Sequence, residues 1–184
     1  MNKRMIPMAA AVIAVGAVAY FWSAGGQQPG KSEEAGVLPA GVDIKELVQS
    51  YSTGEMKAES ASISSTKLVV TQADQSRVAY KLPGDEFFLS IAPYLKETHP
   101  CATHNLTGCQ GEMADQSFQV KITDHSGRTV VDREMTSYAN GFLDLWLPRE
   151  GRYHVKLEQN GRVAESDLST FESDDTCVTT MQLK

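Results

Sequence analysis

The sequence predicts a mainly β chain of the α+β class. A small N-terminal helix and a β-meander come first, followed by an antiparallel β-sandwich or barrel. Three observations carry this expectation. From residue 114 onward, six short segments alternate apolar and polar residues with the period-2 rhythm of half-buried strands. The separators "HSGR", "SYAN", "REG", "NG" and "ESDDT" are turn chemistry. Upstream, "DIKELVQSYSTG" places Ile44, Leu47, Val48 and Tyr51 at i, i+3, i+4, i+7 spacing, which is one face of a helix.

Residues 1–24 stand apart from the fold. Lys3 and Arg4 precede a run from Ile6 to Ala24 with no charged residue, the pattern of a secretion signal or an N-terminal membrane anchor. Ala17-Val18-Ala19 suits cleavage, whereas Tyr20-Phe21-Trp22 suits a membrane interface, so both readings stand. The basic start keeps this end cytoplasmic and sends the body outside. Residues 25–41 are rich in Gly, Pro, Gln and Glu and read as a flexible linker.

Residues 42–96 read as a small α+β domain. Asp43 can cap the helix, Glu46 stands three positions on, and Gly54 can end it. "TKLVVTQ" and "RVAYKL" flank the polar "ADQS" as a hairpin, and "EFFLSIAPYL" sets Phe87, Leu89 and Ile91 opposite Phe88, Ser90 and Ala92. Residues 97–184 read as a β-sandwich metal-binding domain. Its strands are "SFQVKITD", "TVVDREMT", "GFLDLWLP", "RYHVKLEQ", "RVAESDLSTF" and "CVTTMQL", with Asn160-Gly161 as a two-residue hairpin turn. Their order resembles immunoglobulin-like or transthyretin-like modules, which often bind or present something rather than catalyse.

The net charge of −6 and pI near 5.2 argue against a nucleic-acid partner and against an anionic membrane surface. No G-x-S-x-G, Gly-rich phosphate loop or H-E-x-x-H is present, so hydrolase chemistry has no support.

The chemistry concentrates in "HPCATHNLTGCQGE", residues 99–112, and in Cys177, the remaining one of 3 cysteines. In an oxidising compartment a disulfide is the first reading. Closing Cys101 to Cys109 would contribute about 2.6 kcal/mol and Cys109 to Cys177 about 4.4 kcal/mol in the chain-entropy model. Either pairing leaves one thiol over. A metal site uses all of them. Three thiolates, or two with an imidazole, suit soft Cu(I), with His104 as the nearer ligand and His99 as a weaker ligand or an orienting group. Zinc bound by Cys101, His104, Cys109 and Cys177 is the rival, as a Cys₃His structural site. Met113 and Met181 read as core, and the sequon at Asn105 is discounted because it lies inside the cysteine loop.

"DEFFLSIAPYL…THPCATHNLTGCQGE", "NGFLDLWLP" and "STFESDDTCVTTMQL" together resemble the CueP-type copper-binding proteins of the bacterial periplasm, from about Val42 to the C-terminus. The resemblance implies an exported protein of copper handling. It also implies that Cys101, Cys109 and Cys177 are the functional thiols, with His99 and His104 at the motif histidines. The resulting expectation is a periplasmic Cu(I)-binding protein, free or tethered to the inner membrane, that buffers copper and passes it to a client. It is a carrier more than an enzyme. A thiol redox protein that reduces Cu(II), and a zinc-stapled module, are the alternatives; a homodimer is compatible with the sequence. Protease treatment of spheroplasts is expected to degrade residues 42–184, and a protected cytosolic body would defeat this reading.

Overall fold

The computed structural model describes residues 33–38 and 41–184; the expected signal or anchor at 1–24 and most of the expected linker lie outside them. In chain order the elements are β1 (Glu33–Ala35), α1 (Ile44–Ser52), β2 (Ser60–Ile63), β3 (Lys67–Thr71), β4 (Arg77–Lys81) and β5 (Glu86–Ile91). They continue with β6 (His104–Asn105), β7 (Ser117–Asp124), β8 (Thr129–Thr136), β9 (Leu143–Pro148), β10 (Arg152–Gln159), β11 (Arg162–Ser169) and β12 (Cys177–Val178). The β-rich α+β class expected from the sequence is what forms, as three open sheets.

The helix begins where its chemistry says it should. The Asp43 side chain accepts the Lys45 N–H, and Gly54, at φ +77°, takes the chain out of the last turn. Ile44, Leu47, Val48 and Tyr51 are buried against Ala61 and Ile63 of β2, Leu68 and Val70 of β3, and Phe88 and Leu106. This first core lies over a five-stranded sheet ordered β1-β4-β3-β2-β6.

The second core lies between a four-stranded sheet, β11-β10-β7-β8, and a three-stranded sheet, β12-β5-β9. Alternation explains its contents: Phe118, Val120 and Ile122 from β7 and Tyr153, Val155 and Leu157 from β10 meet Phe87, Leu89, Ile91, Leu143, Leu145 and Leu147. The β10–β11 turn has Asn160 at φ +50° and Gly161 at φ +75°, with Gln159 paired to Arg162, as an Asn-Gly hairpin requires.

Strand β5 serves both cores. Phe88 faces the helix side while Phe87, Leu89 and Ile91 face the sandwich. Strands from both sides of the boundary expected at residue 96 therefore share one sheet, since β5 pairs antiparallel with β9 and parallel with β12. The last segment is shorter as a strand than its alternation suggests. After Val178 it touches the 94–95 region through a bridge between Tyr94 and Gln182.

One buried charge ties these layers together. Asp144 of β9 accepts Ser52 Oγ from α1 at 2.5 Å and Ser90 Oγ from β5 at 2.6 Å. Burial pushes its carboxyl up to about 6, against the pull of the two hydroxyls. Because the folded pKa lies above the unfolded one, the group's contribution to stability is present below about pH 4 and is lost as pH rises through 6. Asp144→Asn removes the ionisation and keeps a partner for each serine. Denaturant melts should therefore show the variant gaining on the parent by about 2 kcal/mol between pH 4 and pH 7.5. A constant offset over that range would refute the assignment.

Candidate metal centre

The cysteine loop is assembled from backbone upward. Asn105 organises it: its Oδ1 accepts the N–H of Thr107 at 3.2 Å, the Thr107 hydroxyl at 3.0 Å and the N–H of Ala61 at 3.4 Å. Its carbonyl accepts the Cys109 N–H at 2.9 Å, which turns Cys109 back toward Cys101. Strand β6 docks His104 opposite Ile63 of β2. Downstream, Glu112 Oε2 accepts the N–H groups of Leu95, Lys96 and Glu97 at 2.6, 2.9 and 3.3 Å and so closes the base of the loop. These bonds hold its carboxyl below the usual carboxylate range.

Cys177 arrives from the far end of the chain. Strand β12 runs parallel to β5 with Cys177 opposite Ser90, and the Cys177 N–H donates to Ala102 O at 3.1 Å. The preceding residue pins the arrangement. Thr176 Oγ1 accepts the His104 N–H at 3.1 Å and donates to Ile63 O at 2.6 Å.

These placements bring four of the five expected residues together. One ligand atom from each of Cys101, His104, Cys109 and Cys177 lies within 4.8 Å of every other. Cys101 and Cys177 form a disulfide with a Cα separation of 5.6 Å, and Cys109 is free. This corrects the two pairings weighed from the sequence, Cys101–Cys109 and Cys109–Cys177. The parallel seat of β12 delivers Cys177 next to residues 101–102, and the 76-residue separation makes the cross-link worth about 4.5 kcal/mol in the chain-entropy model. Cys109 Sγ stands 3.7 Å from Cys101 Sγ, and His104 Nδ1 stands 3.6 Å from Cys177 Sγ.

His104 is wholly buried, with its ring 4.3 Å from that of Phe142. Burial first, and the charge of His99 second, lower its pKa to about 4, so the imidazole is neutral and its lone pair is free. Its Nε2 has no hydrogen-bond partner among the described residues. A depressed histidine contributes stability that is full above about pH 6.5 and lost as pH falls toward 4, the opposite sense to Asp144. His99 is half-buried and outside the four-donor group. Met113 and Met181 sit in the sandwich core, as expected. His154 pairs instead with Asp167 at 2.8 Å.

Sequence reasoning missed the supports: Thr176, Glu112 and Phe142. All three stand inside the quoted motifs, but their roles depend on partners far along the chain. Two glycines, Gly111 and Gly141, complete the frame. Their backbones cross so closely that a Cβ on Gly141 would lie 2.6 Å from Gly111 O, and Gly141 has φ +80°.

The family described as "Periplasmic copper-binding protein CueP" matches residues 43–182. The chain belongs to the CueP family. The crystal structure of S.CueP is similar, at 38% identity and a TM-score of 0.74, over 79% of this chain and 91% of that one. No curated protein matches the chain. CueP proteins are periplasmic and bind copper, and a soft donor set of sulfur and neutral imidazole suits that metal. Among the described residues, no helix is long and apolar enough to cross a membrane.

Gly141→Ala is expected to cost about 1–3 kcal/mol through the left-handed backbone alone, with the clash against Gly111 in addition. Because Gly111 follows the cysteine loop, the variant should also bind copper less tightly when reduced. Unchanged melting would show that the crossing is not a constraint.

Proposed function

We propose that the reduced protein binds one Cu(I) through the thiolates of Cys101, Cys109 and Cys177, with His104 as auxiliary ligand and His99 behind it. It would buffer the ion in the periplasm and pass it to a client protein. The observation that carries this reading is the convergence of four soft or borderline donors, drawn from a loop and from the last strand, to within 4.8 Å. Deprotonating each thiol at pH 7 costs about 2 kcal/mol from an ordinary pKa, which a thiophilic ion offsets. Neutral His104 is ready to donate without losing a proton first. The Cys101–Cys177 disulfide must be opened before three thiolates exist, so copper binding belongs to the reduced form. The basic start and apolar run of residues 1–24 support export, with a tether to the inner membrane as the alternative to release.

That same disulfide favours a second reading. Two thiols that close to a disulfide release two electrons and two protons, enough to turn two Cu(II) into two Cu(I). Reduction limited by the thiol count fits the carrier; many turnovers on excess Cu(II) with a thiol reductant would promote the redox reading.

Anaerobic Cu(I) titration of reduced protein tests the ligands. Cys101→Ser, Cys109→Ser and Cys177→Ser should each weaken binding on the order of 100-fold, about 3 kcal/mol, whereas His104→Ala should cost roughly tenfold, about 1.4 kcal/mol. His104 also fills core space, so the informative melting measurement is the shift on adding metal rather than the melt itself. A zinc-selective shift that vanishes in His104→Ala would favour a Cys₃His zinc site. Undiminished Cu(I) affinity in Cys177→Ser would sink the three-sulfur site.

A further inference from the structure

We propose that Cys109 is the relay thiol through which the Cys101–Cys177 disulfide is reduced, by internal exchange with Cys101 before any external reductant acts. This role rests on the copper reading for its purpose, since that reading needs all three sulfurs reduced, but its chemistry needs no copper.

The direct route to the disulfide is unfavourable to the reagent that would use it. A cleft of about 290 Å³ reaches Cys101 and Cys177, and Asp167, Asp174 and Asp175 also line it. The species that opens a disulfide is a thiolate, an anion, and three carboxylates around the approach oppose it. Cys177 itself is only 3% exposed. Cys109 is placed differently. It does not line that cleft, it is partly exposed, and its Sγ already stands 3.7 Å from Cys101 Sγ. The Asn105 N–H donates to the Cys109 sulfur at 3.5 Å and fixes its position beside Cys101. A tethered nucleophile at van der Waals distance has an effective concentration far above that of any dissolved thiol.

The exchange balances without an outside reagent. The Cys109 sulfur attacks Cys101 Sγ, the Sγ101–Sγ109 bond forms and the Sγ101–Sγ177 bond breaks. Cys177 leaves with the electron pair and ends with the proton that Cys109 gave up, beside His104. The disulfide now joins two partly exposed residues of one loop. An external dithiol then attacks the Cys109 sulfur and frees Cys101 as a thiol. The dithiol's second sulfur resolves the mixed disulfide, leaving Cys109 as a thiol and the reagent as its own disulfide. One S–S bond in the protein is reduced, and one is formed in the reagent.

The test uses the oxidised, copper-free full chain and dithiothreitol, with acid quenching and a mass count of alkylated thiols. Cys109→Ser and Cys109→Ala retain the Cys101–Cys177 bond, and a bystander Cys109 predicts that they are reduced as fast as the parent. The relay predicts a drop of tenfold or more in both. A smaller drop, no change or an increase overturns it. A second measurement needs no variant. Acid-quenched, non-reducing peptide maps of the parent held at pH 8 should contain the Cys101–Cys109 linkage with Cys177 free, alongside Cys101–Cys177. Finding Cys101–Cys177 alone overturns the relay. The two readings fail separately: the rates and the parent's peptide map are read without copper, whereas the Cu(I) titration is read on the fully reduced parent, where no disulfide remains to relay.

Discussion

The site exists because the last strand lies parallel to β5, and the hydroxyl of Thr176 holds it there. That one oxygen receives the His104 N–H and donates to Ile63 O, while the next residue presents its thiol to the loop. Parallel neighbours need a long connection, and here β6 to β11 supply it, including the whole four-stranded sheet. Folding of the sandwich is therefore a precondition for bringing residue 177 to residue 101. A hydroxyl is well suited to the junction, because it accepts and donates in one buried spot that a methyl group would leave with two unsatisfied backbone groups.

The centre sits at the seam between the two hydrophobic cores, and its character follows from that. Strand β5 gives Phe88 to one core and Phe87, Leu89 and Ile91 to the other, so its backbone is fixed from both faces. Ala92, just past its end, packs with Phe142 and Cys177 against Cys101 and Cys109. Such an apolar wall keeps His104 neutral and packs against the cysteine sulfurs. The same seam carries Asp144, whose two serine partners come from α1 and β5. His104 and Asp144 respond to pH in opposite senses.

What could be read from the sequence was whatever repeats locally. Ile44, Leu47, Val48 and Tyr51 announced α1, and the alternation of β7, β8 and β10 marked those strands with their turn residues. Strand β2, "SASI", offers one large apolar residue, and β6 is two residues long, so neither has a period to detect. Strand β1 falls within the expected linker and is held by parallel pairing to β4, a partner more than 40 residues away. The ligand candidates were legible because cysteine and histidine are rare and crowd together. Their pairing was not, because spacing does not reveal that the last strand runs parallel to β5.

The odd number of thiols acquires its meaning from this geometry. With Cys101 and Cys177 joined, the cluster offers one thiol and one imidazole, and disulfide sulfur is a poor ligand for metal. With the bond open, it would offer three sulfurs and the same imidazole. On the copper reading, the ion binds the reduced form far better than the oxidised one, so each must stabilise the other by the same free energy. A pair of cysteines without a third could not do this, because closing the pair would leave no free thiol behind. On that reading the third thiol keeps a nucleophile next to the disulfide in the oxidised state and would complete the ligand set in the reduced one. Redox state and metal occupancy would then be coupled within a cluster whose ligand atoms lie within 4.8 Å of one another.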